Sequence, residues 1–152
     1  MPKAIPDGYH SITPYLACSN AAQAIEFYKT ALGAVELYRM PGPDGKLGHA
    51  EIQIGNSRIM LSDEFPDWGA KSPRSFGGTP IVLCVYTEDV DALARRFEAA
   101  GGKVIRPVQN QFYGDRSGQF EDPEGYKWTL ATHVEDVSPE EMERRMAATS
   151  HG

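Results

Sequence analysis

Two side chains that could carry chemistry, His49 and Glu51, stand two positions apart in the stretch GHAEIQIGNS. In an extended strand, residues i and i+2 point to the same face, about 6–7 Å apart. Such a pair could hydrogen-bond a polar ligand, act as a general acid and base, or supply two ligands to a metal ion. We rank these functions in that order, since two protein ligands are too few for a metal without further donors. Two polar side chains that merely face solvent at the rim of a sheet are the structural alternative.

The alternation of apolar and polar residues assigns the faces of this strand and of its neighbours. Ala50, Ile52 and Ile54 are apolar and should pack under a helix, so His49 and Glu51 point to the opposite, concave side. The same argument adds these candidate ligand-binding residues to the concave side: Tyr15, Gln53, Met60 and Thr129.

A second distinctive stretch is QNQFYGDRSG, in which Tyr113 precedes a glycine that permits a tight backbone bend. Arg116 could pair with the adjacent Asp115 and so fix a loop. Alternatively, it could offer its planar guanidinium to a carboxylate or phosphate. We therefore keep Tyr113 and Arg116 as candidate ligand-binding residues at the mouth of a pocket.

Composition excludes several classes of partner. The formal net charge of −6 argues against a nucleic acid, which needs a concentrated positive surface. No apolar run approaches the 18 or so residues of a membrane span, so we expect no membrane partner. Cys18 and Cys84 both belong to apolar strand-like runs and form no disulfide framework. We expect a cytoplasmic protein.

The chain repeats one order of elements. SITPYLACSN and TPIVLCVYT each begin a half with a β-prone run, and the amphipathic helices AAQAIEFYKTALGA and EDVDALARRFEAAGG follow them. Strand-like runs complete each half as β-α-β-β-β. The sequence therefore predicts an α+β fold for a single domain over residues 1–152, with module 1 at about 10–63 and module 2 at about 80–135.

Two further segments lie outside the modules. The inter-module segment, about 63–79, is rich in Pro and Gly; it is either a linker whose aromatic residues pack on the nearest sheet or a lid over a pocket. SPEEMERRMAA predicts a short C-terminal helix at about 138–148, with Ser138 as its N-cap and Glu141 completing a capping box.

The two modules, together with GHAEIQIGNSRIMLSDE and FEDPEGYKWTLATHVEDV, resemble the vicinal oxygen chelate superfamily of glyoxalases, bleomycin-resistance proteins and extradiol dioxygenases, and within it the PhnB-like branch. The resemblance implies paired half-barrels around a cavity, with each helix on the convex side. It also implies a homodimer. Metal-dependent members hold a divalent ion that polarises a substrate through two vicinal oxygens.

In such members the metal ligands come from the first and fourth strands of each module. By resemblance, the four positions fall on Thr13, Met60, Pro80 and Thr129, which are not a competent ligand set. We therefore expect no metal centre of the usual kind. Zinc or nickel stays open as a cofactor only through an unusual site, for which Asp115 and Glu121 are the nearest extra donors.

Two functions remain, and whether the chain is an enzyme stays open. The first is a small-molecule-binding protein of the bleomycin-resistance type that takes an aromatic or oxygenated ligand without a metal. The alternative is a glyoxalase-like, metal-dependent lyase or isomerase that acts on a small oxygenated substrate. In that alternative, Glu51 is the base and His49 is the acid or a metal ligand.

Overall fold

The computed structural model describes residues 1–149 and contains two halves with the same order of elements. The first half comprises β1 (Tyr15–Cys18), α1 (Ala21–Leu32), β2 (Val35–Pro41), β3 (Leu47–Ile54) and β4 (Ser57–Asp63). A 3-10 turn (Pro66–Trp68) and the short helix α2 (Pro73–Phe76) lead to the second half. That half comprises β5 (Val82–Tyr86), α3 (Val90–Ala99), β6 (Lys103–Asn110), β7 (Asp115–Glu121) and β8 (Lys127–His133), and α4 (Pro139–Thr149) follows it.

Each half forms a four-stranded mixed sheet, in the order β1-β4-β3-β2 or β5-β8-β7-β6. The first strand of each half runs parallel to its last strand, and the other neighbours are antiparallel. The predicted α+β fold with two tandem β-α-β-β-β modules and a C-terminal helix is confirmed. Residues 150–152 of the predicted domain lie outside the described residues.

Local sequence sets the ends of the two long module helices. The Asn20 side chain accepts a hydrogen bond from the backbone N–H of Gln23, and Gly33 ends α1 with a left-handed φ of 67°. Asp89 caps α3 in the same way as Asn20 caps α1. Each helix can therefore start directly after its first strand and lie across one face of its own sheet.

The two modules pack through their helices. The ring centroids of Phe27 on α1 and Phe97 on α3 are 5.1 Å apart, and those of Tyr28 and Trp128 are 5.5 Å apart. The helix-facing sides of both sheets thus share one hydrophobic core. As a result, the opposite, concave faces lie on the outside of that core.

Buried carboxylates join the modules across this core. Asp122 of module 2 accepts hydrogen bonds from the Tyr28 hydroxyl at 2.5 Å and from the Trp128 indole at 2.8 Å. Glu124 accepts hydrogen bonds from the backbone N–H groups of Ser19 at 2.5 Å and Asn20 at 3.0 Å. The first turn of α1 is therefore held by the second module.

The inter-module segment is held by its own hydrogen bonds around the short helix α2. Ser72 is fully buried and its hydroxyl hydrogen-bonds Glu64, while Arg74 donates to the backbone carbonyl of Pro123 at 3.0 Å. Trp68 and Phe76 are 90% and 69% exposed, so these two aromatic side chains do not pack on a sheet as the linker interpretation predicted.

The C-terminal helix begins as predicted, since the Ser138 hydroxyl accepts a hydrogen bond from the Glu141 N–H. Arg145 then fixes α4 to the body of the second module through Glu135 and the carbonyl of Phe112. No helix within residues 1–149 is long and apolar enough to cross a membrane.

Candidate functional site

His49, Glu51 and Tyr15 form a hydrogen-bonded triad on the concave face of the first sheet. The Tyr15 hydroxyl lies 2.9 Å from His49 Nδ1, and His49 Nε2 lies 2.9 Å from a carboxylate oxygen of Glu51. Strand register explains the contact, because Tyr15 on β1 and Glu51 on β3 both lie opposite Met60 of the intervening strand β4. Tyr15 thus reaches across β4 to His49. Strand register and alternation put four side chains on the concave face: Tyr15, His49, Glu51 and Met60.

The triad has a defined pattern of donors. An ionised carboxylate can only accept hydrogen bonds, so the N–H of His49 is at Nε2 and donates a hydrogen bond to Glu51. In the neutral ring Nδ1 then accepts the Tyr15 hydroxyl proton. Both His49 and Glu51 side chains are about one-fifth exposed, at 23% and 22%. The triad therefore keeps acceptor capacity on the Tyr15 oxygen and on the second Glu51 oxygen for an incoming donor.

Half-exposed apolar side chains surround the triad. Tyr38 and Met40 on β2 lie opposite Glu51 and His49, and the Tyr38 ring centroid is 6.4 Å from that of His49. Tyr38 is 51% exposed and Met40 is 46% exposed. The sequence prediction missed both residues, although the same alternation along VELYRM could have found them. The result is a small polar centre within an apolar, aromatic surface.

Gln53 also lies on the concave face, but its amide is already engaged. Its nitrogen donates to the carbonyl of Gly55 at 3.0 Å, and its oxygen accepts from Arg58 Nε at 3.2 Å. Gln53 therefore supports the end of the β3–β4 hairpin and makes no contact with the triad.

The remaining candidates belong to the second module. Thr129 lies on the concave face of the second sheet, opposite Cys84 and Gln119. Tyr113 is 38% exposed in the turn before β7 and packs edge-on against Phe112. Because the two concave faces flank one shared core, the structure does not bring Thr129 or Tyr113 to the triad.

The structure does not place Arg116 at a pocket mouth beside Asp115. Arg116 lies on β7 and points to the helix side, where its Nε and Nη2 donate to Asp91 of α3 at 2.9 and 3.0 Å. Adjacent residues of a strand point to opposite faces, so the predicted pairing with Asp115 cannot form. The hydrogen-bonded ion pair with Arg116 holds the pKa of the Asp91 carboxyl below its usual value.

Asp115 instead belongs to a second polar cluster on the concave side, which the sequence prediction missed. It accepts a hydrogen bond from the Tyr86 hydroxyl at 2.7 Å and contacts His133 Nδ1 at 2.9 Å. The bond to Asp115 raises the pKa of Tyr86 to about 12. The other ring nitrogen of His133 lies 2.8 Å from Asp136. No spacing rule joins these residues, because they come from three different segments.

The four positions at which the resemblance implies metal ligands carry none of the usual donors. Met60 and Thr129 occupy equivalent places on β4 and β8, and Thr13 and Pro80 precede β1 and β5. A thioether, two hydroxyls and a proline ring do not supply the imidazole and carboxylate donors that such ions need. Among residues 1–149, no group of three or more His, Cys, Asp or Glu side chains is arranged to hold a metal.

Comparison with known proteins gives a family match over most of the chain. The model of the Glyoxalase/Bleomycin resistance protein/Dioxygenase superfamily matches residues 8–130. An uncharacterised protein of Mycobacterium bovis is 41% identical over 145 residues, which cover 93% of this chain and 95% of the relative.

Solved structures share the fold. TioX from Micromonospora sp. ML1 has a TM-score of 0.67 at 25% identity, covering 82% of this chain and 99% of its own. The PhnB protein from Bacillus cereus has a TM-score of 0.63 at 18% identity, covering 81% of this chain and 99% of its own. The likeness to the PhnB protein concerns the fold alone.

Proposed function

The chain belongs to the Glyoxalase/Bleomycin resistance protein/Dioxygenase superfamily, and from this premise we propose that it is a small-molecule-binding protein. Its ligand lies on the concave face of the first sheet and is an aromatic or oxygenated molecule with at least one hydrogen-bond donor. Binding does not use the metal centre of the metal-dependent members. We also assign the chain to the PhnB-like branch as part of this proposal.

The observation that carries the proposal is the triad of Tyr15, His49 and Glu51 within an apolar surround. Ligand sites are mostly apolar surfaces with a few polar groups that fix orientation. Here Tyr38 and Met60 supply apolar contact, and an aromatic ligand would gain from an offset or edge-on ring contact with Tyr38. A hydroxyl or amide of the ligand would donate to the free oxygen of Glu51.

A homodimer is part of the proposal. The concave faces lie outside the shared core, and Tyr15 and Tyr38 are each 51% exposed. A small molecule held on such an open face would keep much of its surface in water, which weakens binding. A second copy of the chain would cover the face. We place the protein in the cytoplasm because both cysteines are free thiols, which a reducing compartment maintains.

The second candidate function is a glyoxalase-like lyase or isomerase. The same triad favours it, since Glu51 fixes the orientation of His49 as an acid–base residue requires. The metal-dependent form of this reaction also needs a Lewis acid at the substrate oxygens. The residues at the four expected ligand positions supply none of the usual donors, so binding ranks first.

Elemental analysis of the untagged protein, before and after incubation with excess zinc or nickel, separates the two candidates. We expect no stoichiometric metal. Stoichiometric metal that is lost in a His49→Ala variant would overturn the binding proposal in favour of the lyase. A parallel assay with a 2-oxoaldehyde–thiol adduct should show no turnover by the wild-type protein.

The Glu51→Gln variant tests the site itself. A thermal-shift screen of aromatic and oxygenated compounds identifies a ligand, and titration calorimetry then measures its affinity. Loss of a charge-assisted hydrogen bond is worth about 1.5–3 kcal/mol, so Glu51→Gln should weaken binding by about tenfold or more. Glu143→Gln, an exposed change on α4, is the matched control. Equal affinity in both variants would remove Glu51 from the site, and loss of turnover with binding retained would instead make Glu51 a base.

A further inference from the structure

Arg58 lies on the same concave face as the triad. It precedes Met60 by two positions on β4, so its side chain points to the same side of the sheet. In the register of β3 and β4, Glu51 is opposite Met60 and Gln53 is opposite Arg58. Diagonal neighbours in an antiparallel pair, such as Glu51 and Arg58, are about 7–8 Å apart. Arg58 is thus a close neighbour of the triad, and nothing in the proposed function uses it.

Arg58 has no carboxylate partner, although the chain carries a formal net charge of −6. No Asp or Glu side chain within residues 1–149 lies within ion-pair distance of it, whereas Arg39, Arg116 and Arg145 all have such partners. Its two terminal nitrogens contact no hydrogen-bond acceptor in that part of the chain and stay in contact with solvent. The terminal N–H groups are therefore available to an anion.

Neutral groups hold the Arg58 guanidinium in place. Its Nε donates to the Gln53 side chain at 3.2 Å, and its central carbon lies 4.8 Å from the ring centroid of Tyr9. Gly8 permits this packing, because its φ is +84° and a Cβ there would overlap the guanidinium. A side chain that is fixed before binding loses little conformational freedom when an anion arrives, which favours affinity.

Apolar surface adjoins both charges on this face. Met60 neighbours Arg58 along β4 and Glu51 across the strand pair. Val35 and Tyr38 on β2 point to the same side and are 59% and 51% exposed. An aromatic ring on this surface would have Arg58 toward one end and Glu51 toward the other. The two ends need opposite chemistry, because a guanidinium only donates hydrogen bonds and an ionised carboxylate only accepts them.

We propose that the ligand of this face is an aromatic carboxylate. Its carboxylate accepts two parallel hydrogen bonds from Arg58, the geometry that a planar guanidinium favours. Its ring lies over Met60, and a hydroxyl at the far end of the ring donates to Glu51. The like charge of Glu51 keeps the ligand's carboxylate at the Arg58 end. This inference rests on the proposed function, since it assigns the chemical class of the ligand that binds the same face.

4-Hydroxybenzoate is the probe, and 4-hydroxybenzyl alcohol is its uncharged counterpart. Titration calorimetry on the full-length wild-type protein should show a clear preference for 4-hydroxybenzoate. In Arg58→Gln, affinity for the acid should fall at least about tenfold while affinity for the alcohol stays within about twofold, since only the charge-assisted bonds are lost. Arg58→Lys keeps the charge and should retain a preference for the acid. Arg144→Gln, which changes an exposed arginine of α4, is the matched control.

Methyl NMR spectra locate the probe on the protein. 4-Hydroxybenzoate should shift the methyl signals of Val35 and Met60 and leave those of Val82, on the second sheet, unchanged. Shifts confined to the second sheet would overturn the proposal. The same holds for equal affinity of the wild type for the acid and the alcohol, for an unchanged preference in Arg58→Gln, and for no binding of the acid at millimolar concentration.

Glu51→Gln separates failure of this inference from failure of the proposed function. The variant should weaken binding of both compounds, because both carry the ring hydroxyl that donates to Glu51. If it does so while Arg58→Gln leaves the preference unchanged, the proposed site stands and the assignment of a carboxylate ligand fails. If the preference for the acid depends on Arg58 but neither compound responds to Glu51→Gln, the anion site stands and the proposed role of the triad fails.

Discussion

His133 at the end of β8 lies between two carboxylates, and its environment favours the charged ring. Its Nδ1 lies 2.9 Å from Asp115 and its Nε2 lies 2.8 Å from Asp136. A ring that donates to a carboxylate from both nitrogens is protonated. The hydrogen bond to Asp136, followed by that to Asp115, raises the pKa of His133 above its ordinary value of 6.5. Tyr86, which donates to the other oxygen of Asp115, completes the polar surroundings of the ring.

We expect the Asp136→Asn variant to lower the pKa of His133, because it removes the larger of the two causes of the rise. A group whose pKa is raised by folding stabilises the folded state fully below its unfolded pKa, near 6.5, and loses that contribution as the pH rises through the folded pKa. The free energy of unfolding of the wild type should therefore fall as the pH rises from the unfolded to the folded pKa of His133. The fall should be smaller in Asp136→Asn.

An NMR titration of the His133 ring protons measures the pKa, and urea unfolding at several pH values measures the stability. Asp67→Asn, which removes an exposed carboxylate from the inter-module segment, is the control. Identical His133 titrations in the wild type and Asp136→Asn would show that Asp136 does not stabilise the charged ring.

Where a strand was recognised in the sequence, strand alternation correctly predicted which face of the sheet each side chain occupies. It placed His49, Glu51 and Met60 on the concave face, where the structure has them. The predicted pairing of Arg116 with Asp115 was wrong because alternation was not applied to the residues at the start of β7. In addition, the partner of Arg116, Asp91, lies on a helix 25 positions away in sequence. Contacts of that kind depend on tertiary packing and leave no local signal.

At the element scale, α1 begins at a site built from both modules. The backbone N–H groups of Ser19 and Asn20 donate to Glu124, and that of Ala21 donates to Asp63 at 2.7 Å. These carboxylates satisfy donors that the first turn of a helix cannot pair internally, and their charge complements the positive end of the helix dipole. The N-terminus of α1 is therefore tied to the DPEG turn of module 2.

We expect Glu124→Gln to reduce the free energy of unfolding by about 1–3 kcal/mol, because a buried, charge-assisted acceptor of several hydrogen bonds is lost. Urea unfolding followed by far-UV circular dichroism measures the change. Glu26→Gln, a substitution on the exposed face of the same helix, should cost less than about 0.5 kcal/mol. A Glu124→Gln variant as stable as Glu26→Gln would mean that the cross-module cap contributes nothing.

The elements themselves were predictable, but this tie between them was not. Hydrophobic periodicity located both long helices and the repeated order of strands, since each element buries one face. In the sequence, Glu124 stood out only as part of the stretch FEDPEGYKWTLATHVEDV. Its partners lie about 105 positions earlier in the chain. Periodicity describes how an element faces the core, and it carries no information on which distant backbone donors a turn will meet.

At the scale of the whole molecule, the shared core determines which faces of the two sheets stay exposed. Because α1 packs against α3, both sheets turn their concave faces outward. Large apolar side chains remain uncovered there: Tyr15, Tyr38, Met40, Val82 and Tyr86, each between 42% and 61% exposed. Large exposed apolar patches usually mark interaction sites. The same faces carry the triad and the cluster around His133, so the proposed dimer and the proposed ligand site would use the same surfaces.

We expect the chain to sediment at twice the mass of one chain at micromolar concentration, as a homodimer that covers these faces. Burial of apolar area stabilises such an interface by about 25 cal/mol per Å². A carboxylate placed within it loses its hydration without gaining a partner. Tyr38→Asp and Val82→Asp should therefore each shift the equilibrium toward single chains, as measured by analytical ultracentrifugation over a range of concentrations.

Trp68→Asp is the control for this prediction, because it removes an equally large aromatic side chain that is 90% exposed and lies off both concave faces. It should leave the dimer intact. A wild-type protein that sediments as a single chain would contradict the dimer, and a small ligand on the first sheet would then have to bind an open face. A dimer that persists in both Tyr38→Asp and Val82→Asp would place the interface elsewhere. Loss of the dimer in these two variants alone would show that assembly buries the faces that carry the triad and the cluster around His133.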